Sequence, residues 1–262
     1  MSDKLHFRVV LCPMKKKNTD SLVTRSKLVH IKELAGQEGM SYLEPVKALA
    51  RLTYQSIYVI DYSNMSFEYV SDNPLLLCGY TAEEVRTMGY EFYEKQVPPE
   101  NLEMLSELNE KGFDFFDRLP VEERKMYSIK YDFHLQHKNG SSVLINHKLT
   151  PLLLTDAGKM WKAMCTVSIA YHKAAGNAVI YKEGADIIWR FCPDTRAWQK
   201  FPRPLLSERE MEVLRLYAQG LTINEIAARV SVSPDTVKYY RRRIFEMLDV
   251  GTVVEALGRV VG

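Results

Sequence analysis

The sequence lacks long apolar runs, clustered cysteines and a large net charge. No run of about 18 apolar residues occurs in the 262-residue chain, so no transmembrane helix is predicted. The four cysteines are scattered and form no Cys-x-x-Cys pair, which argues against a zinc ribbon or a disulfide framework. The formal net charge of +2 gives no sign of a nucleic-acid partner by itself, so only a local concentration of charge could indicate one.

The N-terminus also lacks the features of a secretory signal. The short apolar run Phe7–Cys12 contains Arg8 and is followed by Pro13 and three lysines instead of small residues. We therefore expect a cytoplasmic protein with no membrane partner. In a reducing compartment, the cysteines are interpreted as buried apolar thiols.

Signatures of common enzymes and metal sites are missing as well. The chain contains no G-x-S-x-G, P-loop or H-E-x-x-H motif. His134 and His137 differ by three positions on a predicted strand and would point to opposite faces, so they and His147 are interpreted as ordinary strand residues. The sequence predicts neither a catalytic site nor a metal site.

Residues 43–171 show patterns typical of strands and short helices. Two strands are predicted at 56–61 and 67–70, where β-branched and aromatic residues alternate with polar ones. Thr81 and Glu84 form a capping box, which marks the start of a helix.

A longer helix and three antiparallel strands are predicted next. The helix runs through Leu102, Leu105 and Leu108, and Gly112 is expected to end it. Asn139-Gly140 is a strong hairpin signal between the first two strands. The three strands are predicted at 128–135, 143–154 and 160–170.

This order of elements resembles a PAS sensor domain. The resemblance rests also on two segments, Ser71-Asp72-Asn73-Pro74 and Gly79-Tyr80-Thr81-Ala82-Glu83-Glu84-Val85. It implies an antiparallel sheet with flanking helices that binds a small ligand, haem or flavin, or that dimerises. The Asn-Cys-Arg-Phe sequence of flavin-adduct photosensors is absent, which argues against a flavin adduct, while a haem-ligating histidine stays open. The prediction is that no cofactor is bound. An unknown small-molecule ligand stays open.

Two further regions flank this PAS-like region. Residues 1–42 are predicted to be a polar N-terminal extension with a helix that starts at Asp20 or Ser21 and ends at Gly36 and Gly39. Residues 172–204 are predicted to be a short β extension and linker, in which Pro202 and Pro204 mark the boundary to the last domain. The β segments of that extension are expected at 178–181, 187–191 and 197–201.

Residues 205–262 predict a helix-turn-helix module. A first helix starts at the capping box of Ser207 and Glu210 and ends at Gly220. A second helix covers 224–230, and Ser233 caps a third helix at 234–248.

A helical-wheel projection of the third helix separates two faces. Val237, Tyr240, Ile244 and Leu248 fall on one side and predict a buried stripe. The opposite, polar side carries Tyr239 and Arg242, with Lys238 and Arg243 at its edges. A solvated helix face would also be charged, but a basic face after a helix-turn-helix arrangement fits the major groove.

The module resembles the LuxR-type DNA-binding domain. The resemblance implies four helices, with the third in the major groove and the fourth, at about 253–260, used for dimer contact. It places Lys238, Tyr239 and Arg242 at DNA-contacting positions and Thr236 at the phosphate backbone. Arg243, Ser233 and Asn224 complete the predicted DNA-binding set. The matching residues are Leu206-Ser207-Glu208-Arg209-Glu210, Gly220-Leu221-Thr222, Glu225-Ile226-Ala227, Val232-Ser233, Thr236-Val237-Lys238, Ile244 and Leu248.

Some positions depart from that family pattern. Tyr240 replaces a usual histidine on the core side, while Met247 and Val253-Val254 remove residues that could contact phosphate or shape the dimer surface. Residues 207–262 carry eight basic and eight acidic side chains, so their formal charges cancel. We therefore expect modest non-specific affinity and specific binding by a homodimer on a two-half-site operator.

The sequence thus predicts an α+β fold, with a PAS-like antiparallel sheet followed by an all-α four-helix LuxR-type domain. The expected function is that of a bacterial transcriptional regulator that binds double-stranded DNA under the control of a signal or partner. RNA polymerase is left open as a further partner. The alternative is a sigma-factor-like or protein-binding helix-turn-helix module attached to a cofactor-binding sensor.

Overall fold

The computed structural model describes residues 42–248 and 250–261. The helix predicted between Asp20 and Gly36 lies outside these residues. The described chain forms an eight-stranded antiparallel sheet with helices packed on it, followed by a group of four helices. This confirms the predicted fold class. None of the described helices is long and apolar enough to cross a membrane.

The sheet region opens with a helix that the sequence analysis did not predict, at Leu43–Leu52, and the elements after it come in the predicted order. Two strands are followed by four helices and a 3-10 helix, and three long strands return. The elements are α1 (Leu43–Leu52), β1 (Ser56–Asp61), β2 (Ser66–Val70), α2 (Pro74–Leu77), α3 (Ala82–Met88), α4 (Glu91–Gln96), α5 (Pro99–Asp117), a 3-10 helix (Val121–Met126), β3 (Tyr127–Gln136), β4 (Ser142–Leu154) and β5 (Met160–Ile169).

Three further strands continue the same sheet. They are β6 (Gly176–Lys182), β7 (Ile187–Cys192) and β8 (Ala197–Pro202), and the strand order is β2-β1-β5-β4-β3-β6-β7-β8. Because β6 pairs with β3, the β3 strand lies inside the sheet between β4 and β6. The β segments expected at 178–201 are therefore part of the main sheet.

Asn73 fastens the start of the helical layer to the first strand. Its Oδ1 accepts hydrogen bonds from the Leu75 backbone N–H (3.1 Å) and from the Ser56 hydroxyl (3.0 Å), while its Nδ2 donates to the Tyr54 carbonyl (2.5 Å). One side chain thus caps α2 and holds it against the end of β1. The Thr81–Glu84 capping box predicted for α3 is confirmed.

The prediction that Gly112 ends a helix is wrong. Helix α5 continues through Gly112 to Asp117, although a glycine in a helix interior costs about 1 kcal/mol relative to alanine. The apolar face resumes after it, because Phe113 and Phe116 pack into the core. A Cβ on Gly112 would lie 3.5 Å from Cδ1 of Ile129, an ordinary contact distance, so the position faces β3 without a steric need for glycine. Tertiary packing outweighs the local stop signal here.

A small apolar cavity of about 60 Å³ lies between α5 and the sheet. Gly112 is part of its wall, and the missing side chain leaves space there. Tyr62 and Tyr131 also line it, together with Phe116 and Met160. The cavity therefore combines a mainly apolar wall with aromatic residues that carry hydroxyl groups.

His147 is buried in a cluster of tyrosines beneath the helices. Its Nε2 lies 2.7 Å from the Tyr58 hydroxyl, which also hydrogen-bonds with Tyr93. Burial lowers the pKa of His147 to about 3, so the imidazole is neutral in the folded protein.

We predict that this histidine makes the sheet region less stable in acid. The unfolded chain takes up a proton near the ordinary histidine pKa of about 6.5, whereas the folded chain does so only near the lowered pKa. Stability is therefore present above pH ~6.5 and is lost as pH falls towards 3, by at most about 1.4 kcal/mol per pH unit. Urea unfolding followed by tryptophan fluorescence measures this slope, because Trp161, Trp189 and Trp198 all lie in the sheet. His147→Gln should flatten the slope between pH 6.5 and 4.5. Identical slopes in the two proteins would contradict the assignment.

Candidate nucleic-acid interface

The four C-terminal helices enclose a core of their own. They are α6 (Glu208–Ala218), α7 (Ile223–Arg229), α8 (Pro234–Leu248) and α9 (Val253–Val261). All four helices contribute apolar side chains to this core. Its buried members include Val213, Leu214, Ile226, Ala227, Val237, Ile244, Leu248 and Ala256.

Side-chain caps set the starts of the first two helices. The Ser207 hydroxyl accepts from the Glu210 backbone N–H at 3.3 Å, and the Glu210 carboxylate accepts from the Ser207 backbone N–H at 2.8 Å. Thr222 and Glu225 form the same reciprocal pair at the start of α7. These capping boxes satisfy backbone donors that the first turn of each helix leaves free.

The turn between α7 and α8 is tightly specified. Ser231 has a φ of 54°, in the left-handed region, and the Val232 backbone N–H donates to the Ala227 carbonyl at 3.0 Å. The guanidinium of Arg209 on α6 donates to the Val230 carbonyl. A side chain of α6 thereby holds the turn that orients α8. Ser233 then starts α8 by accepting from the Thr236 backbone N–H at 3.1 Å.

Helix α8 has the two faces predicted from its sequence. Val237, Ile244 and Leu248 are buried, and Tyr240 is half-buried against the same core. Lys238 and Arg242 are exposed on the other side.

Tyr239 also lies on the exposed side of α8. It is 46% exposed, and the Arg242 guanidinium carbon lies 5.7 Å from the centre of its ring. A cation over an aromatic ring at this distance is weakly attracted to it, so the ring supports the arginine in an outward position.

Each exposed cation of this face has an acidic neighbour on the same helix. Lys238 Nζ lies 2.9 Å from Asp235 Oδ1, and Arg242 Nε lies 3.8 Å from Glu246 Oε1. Exposed pairs of this kind contribute about 0–1 kcal/mol and are screened by salt. Both cations can therefore exchange their partners for other anions at little cost.

Arg243 is held differently from the other two cations. Its Nε lies 2.8 Å from Oε1 of Glu210, whose side chain is only 2% exposed. Glu210 therefore caps α6 and binds α8 with the same carboxylate. The sequence identified Glu210 only as a cap, because its partner on α8 is 33 positions away.

The remaining predicted residues lie at helix starts. The Thr236 hydroxyl is 2.9 Å from that of Ser233, at the first turn of α8. Asn224 is exposed in the first turn of α7. Thus six of the seven predicted residues lie on α8 or at its cap, and Asn224 lies on the preceding helix.

The sequence of this helical group matches a known family. Residues 204–259 fit the family model described as bacterial regulatory proteins, luxR family. They form a luxR-family helix-turn-helix domain.

Two curated relatives share this luxR domain. The response regulator UvrY of Escherichia coli is 39% identical over 54 residues, which are 21% of this chain and 25% of UvrY. The transcriptional regulatory protein UhpA of E. coli is 40% identical over 55 residues, which are 21% of this chain and 28% of UhpA. The chain spans about a quarter of the length of these relatives.

More distant likenesses appear among solved structures. Vibrio cholerae VqmA, described as a LuxR-type receptor, is 16% identical, with 84% of this chain and 86% of that chain covered at a TM-score of 0.34. A PAS domain from Colwellia psychrerythraea is 17% identical, with 49% of this chain and 96% of that chain covered at a TM-score of 0.36.

We predict that Glu210 is the polar group on which the luxR domain depends most. Glu210→Ala leaves the Ser207 backbone N–H without its acceptor and Arg243 without its partner, while the Ser207 hydroxyl still caps the helix. Because the Arg243 side chain is half exposed and regains water, we expect a loss of about 2 kcal/mol, below that of a fully buried pair. Amide hydrogen exchange of peptides from α6 and α8 measures the loss.

The matched control is Glu225→Ala. Glu225 occupies the same capping position in α7 but is exposed. Its replacement should therefore increase exchange clearly less than Glu210→Ala does. Equal increases in both variants would show that the carboxylate acts only as a cap.

Proposed function

We propose that this chain is a sequence-specific DNA-binding transcriptional regulator in which α8 enters the major groove. The observation that carries the proposal is the exposed face of α8 with Lys238, Tyr239 and Arg242, on a helix that α6 and α7 hold in a luxR-family domain. Lysine and arginine donate hydrogen bonds to the guanine edges in this groove, and both also bind phosphates.

Separate roles follow for the residues around this face. Arg242 and Lys238 would read base edges or phosphates, with the Tyr239 ring beside the arginine. Ser233 and Thr236 at the start of α8 would approach the phosphate backbone, since a helix N-terminus attracts anions. Asn224, at the start of α7, would do the same on the other side of the turn. Arg243 would contact DNA only at the expense of its bond to Glu210.

Two copies of the chain would bind together. The formal charges of residues 207–262 cancel, and both central cations carry acidic neighbours, so a single luxR domain has little general attraction for DNA. A homodimer on two half-sites would add the contacts of the second domain.

The sheet region would supply the control by a signal or partner. We place a small-molecule signal at the cavity beneath α5, which aromatic and apolar side chains line. Its volume of about 60 Å³ is far below the ~300 Å³ of a small ligand pocket, so binding would have to enlarge it. A ligand that binds one conformation better than another shifts the population towards that conformation. We propose that this shift changes the fraction of molecules able to bind DNA.

Selection of bound duplexes from a random pool tests the DNA-binding role. The full chain should enrich a motif with two-fold symmetry, and Arg242→Ala should weaken binding to that motif by roughly tenfold to a hundredfold, as loss of a base contact does. Lys238→Ala should act in the same direction. Arg215→Ala removes the same charge from an exposed position on α6 and should leave the enriched motif unchanged. A motif that survives both α8 substitutions would contradict the assignment of this face, and protein partners of the module would then be sought.

We also predict that removing an acid from α8 increases binding to any duplex. Glu246→Gln frees Arg242 for a phosphate, so non-specific affinity should rise and its salt dependence should steepen by up to about one unit of log K per log salt. Titrations at several salt concentrations measure both effects. Glu208→Gln makes the same charge change on α6 and should alter the salt slope less. Equal slopes in the two variants would mean that Arg242 does not reach DNA.

A further inference from the structure

The residues that follow β5 make a close contact with the last helix. Gly258 on α9 is buried, and the ring of Tyr171 occupies the place where its side chain would start. A Cβ on Gly258 would lie 2.1–2.3 Å from three carbons of that ring, far inside the contact distance of two carbon atoms. The tyrosine therefore packs directly on the backbone of α9, and only glycine permits this approach. Tyr171 itself remains 38% exposed, so part of its side chain stays accessible to solvent at this contact between the sheet region and the luxR domain.

The same segment forms one wall of a cleft in front of α8. The cleft has a volume of about 1070 Å³. Its walls come from the segment after Tyr171 on one side and from α8 and the start of α9 on the other. The first wall includes His172, Lys173, Ala174 and Asn177, and the second includes Asp235, Lys238, Tyr239, Arg242 and Glu246. The proposed DNA-binding face thus looks onto residues of the sheet region.

The position of the cleft matters for DNA. Lys238, Tyr239 and Arg242 line the same cleft as residues of the 172–177 segment, so a duplex whose major groove covers these three side chains would also overlap that segment. The major groove is about 12 Å wide, and the sugar–phosphate backbones lie outside it. Residues 172–177 therefore obstruct the approach of a duplex to α8 in this arrangement.

A buried carboxylate fixes the segment to the sheet. Asp132 on β3 is fully buried, and its Oδ2 accepts from Asn177 Nδ2 at 3.0 Å and from the imidazole of His172. Its Oδ1 accepts from Asn146 Nδ2 at 2.7 Å. The segment is therefore part of the sheet region and cannot swing away alone. The cleft opens only if α8 and α9 move away from it together.

We propose that residues 171–177 are an internal clamp that keeps α8 from DNA, and that the packing of Tyr171 on Gly258 holds the clamp closed. The proposal rests on the proposed DNA-binding role of α8. The closed form is in equilibrium with an open form in which Tyr171 has left α9. A signal or a DNA duplex can then shift the equilibrium.

Substitutions on both sides of the contact test the clamp in the full-length chain. Gly258→Ala places a methyl group into the ring of Tyr171, and alanine favours a helix more than glycine does, so α9 itself stays folded. Tyr171→Ala removes the ring instead. Tyr171→Phe keeps the ring and serves as the matched control. The double variant Tyr171→Ala/Gly258→Ala should behave like either single variant, since the new methyl group has nothing left to displace.

Two measurements separate the contact from its effect on DNA. Small-angle X-ray scattering without DNA reports whether the chain expands, and titration with the selected duplex reports its affinity. We expect both single variants to expand and to bind the duplex about three- to tenfold more tightly, because apparent affinity rises with the fraction of open molecules. Tyr171→Phe should match the original protein in both measurements.

Each other outcome has a distinct meaning. If Gly258→Ala does not expand the chain, the contact does not hold the two regions together, and the clamp is overturned whatever the affinity. If the variants expand but bind the duplex no more tightly, the contact exists but does not inhibit, and the proposal is again overturned. If expanded variants bind no duplex in the random pool at all, the DNA-binding role of α8 fails as well.

Discussion

One buried carboxylate of the luxR domain links two of its helices. Glu210 closes the first turn of α6 and, through Arg243, fixes α8 against it. A carboxylate taken out of water destabilises a fold unless all its lone pairs have partners, and Glu210 finds them in the Ser207 cap and in Arg243. These two interactions of the Glu210 carboxylate hold α8 in the orientation that presents Lys238 and Arg242. Apolar packing of the two helices alone would leave their rotation less strictly defined.

Local signals predicted the elements well. Capping boxes at Ser207 and Thr81 and the alternating patterns of the strands were confirmed, because each depends on residues only a few positions apart. The helix end predicted at Gly112 was wrong for the opposite reason. The aromatic residues after it pack into a core formed by distant parts of the chain, which the local sequence does not show. The pairing of β6 with β3 joins residues about 50 positions apart, and no local pattern marks it. The sequence could reveal β6 but not its neighbour.

In the candidate interface, too, features set by nearby residues could be predicted and features set by the tertiary fold could not. The two faces of α8 follow from helical periodicity, so the exposed position of Lys238, Tyr239 and Arg242 could be predicted. The acids that neutralise two of them also lie three or four positions away and could have been found in the same way. The partner of Arg243 and the wall opposite α8 could not, because both are brought there by the tertiary fold.

Strand β3 connects the two faces of the sheet through adjacent residues. Neighbouring residues of a strand point to opposite sides of the sheet. Tyr131 lines the cavity beneath α5, and Asp132, the next residue, holds His172 and Asn177 on the other side. A ligand that displaces Tyr131 would also reorient the peptide unit between Tyr131 and Asp132. Under the proposed regulation, communication between the two faces of the sheet would pass through the single peptide bond that joins Tyr131 to Asp132.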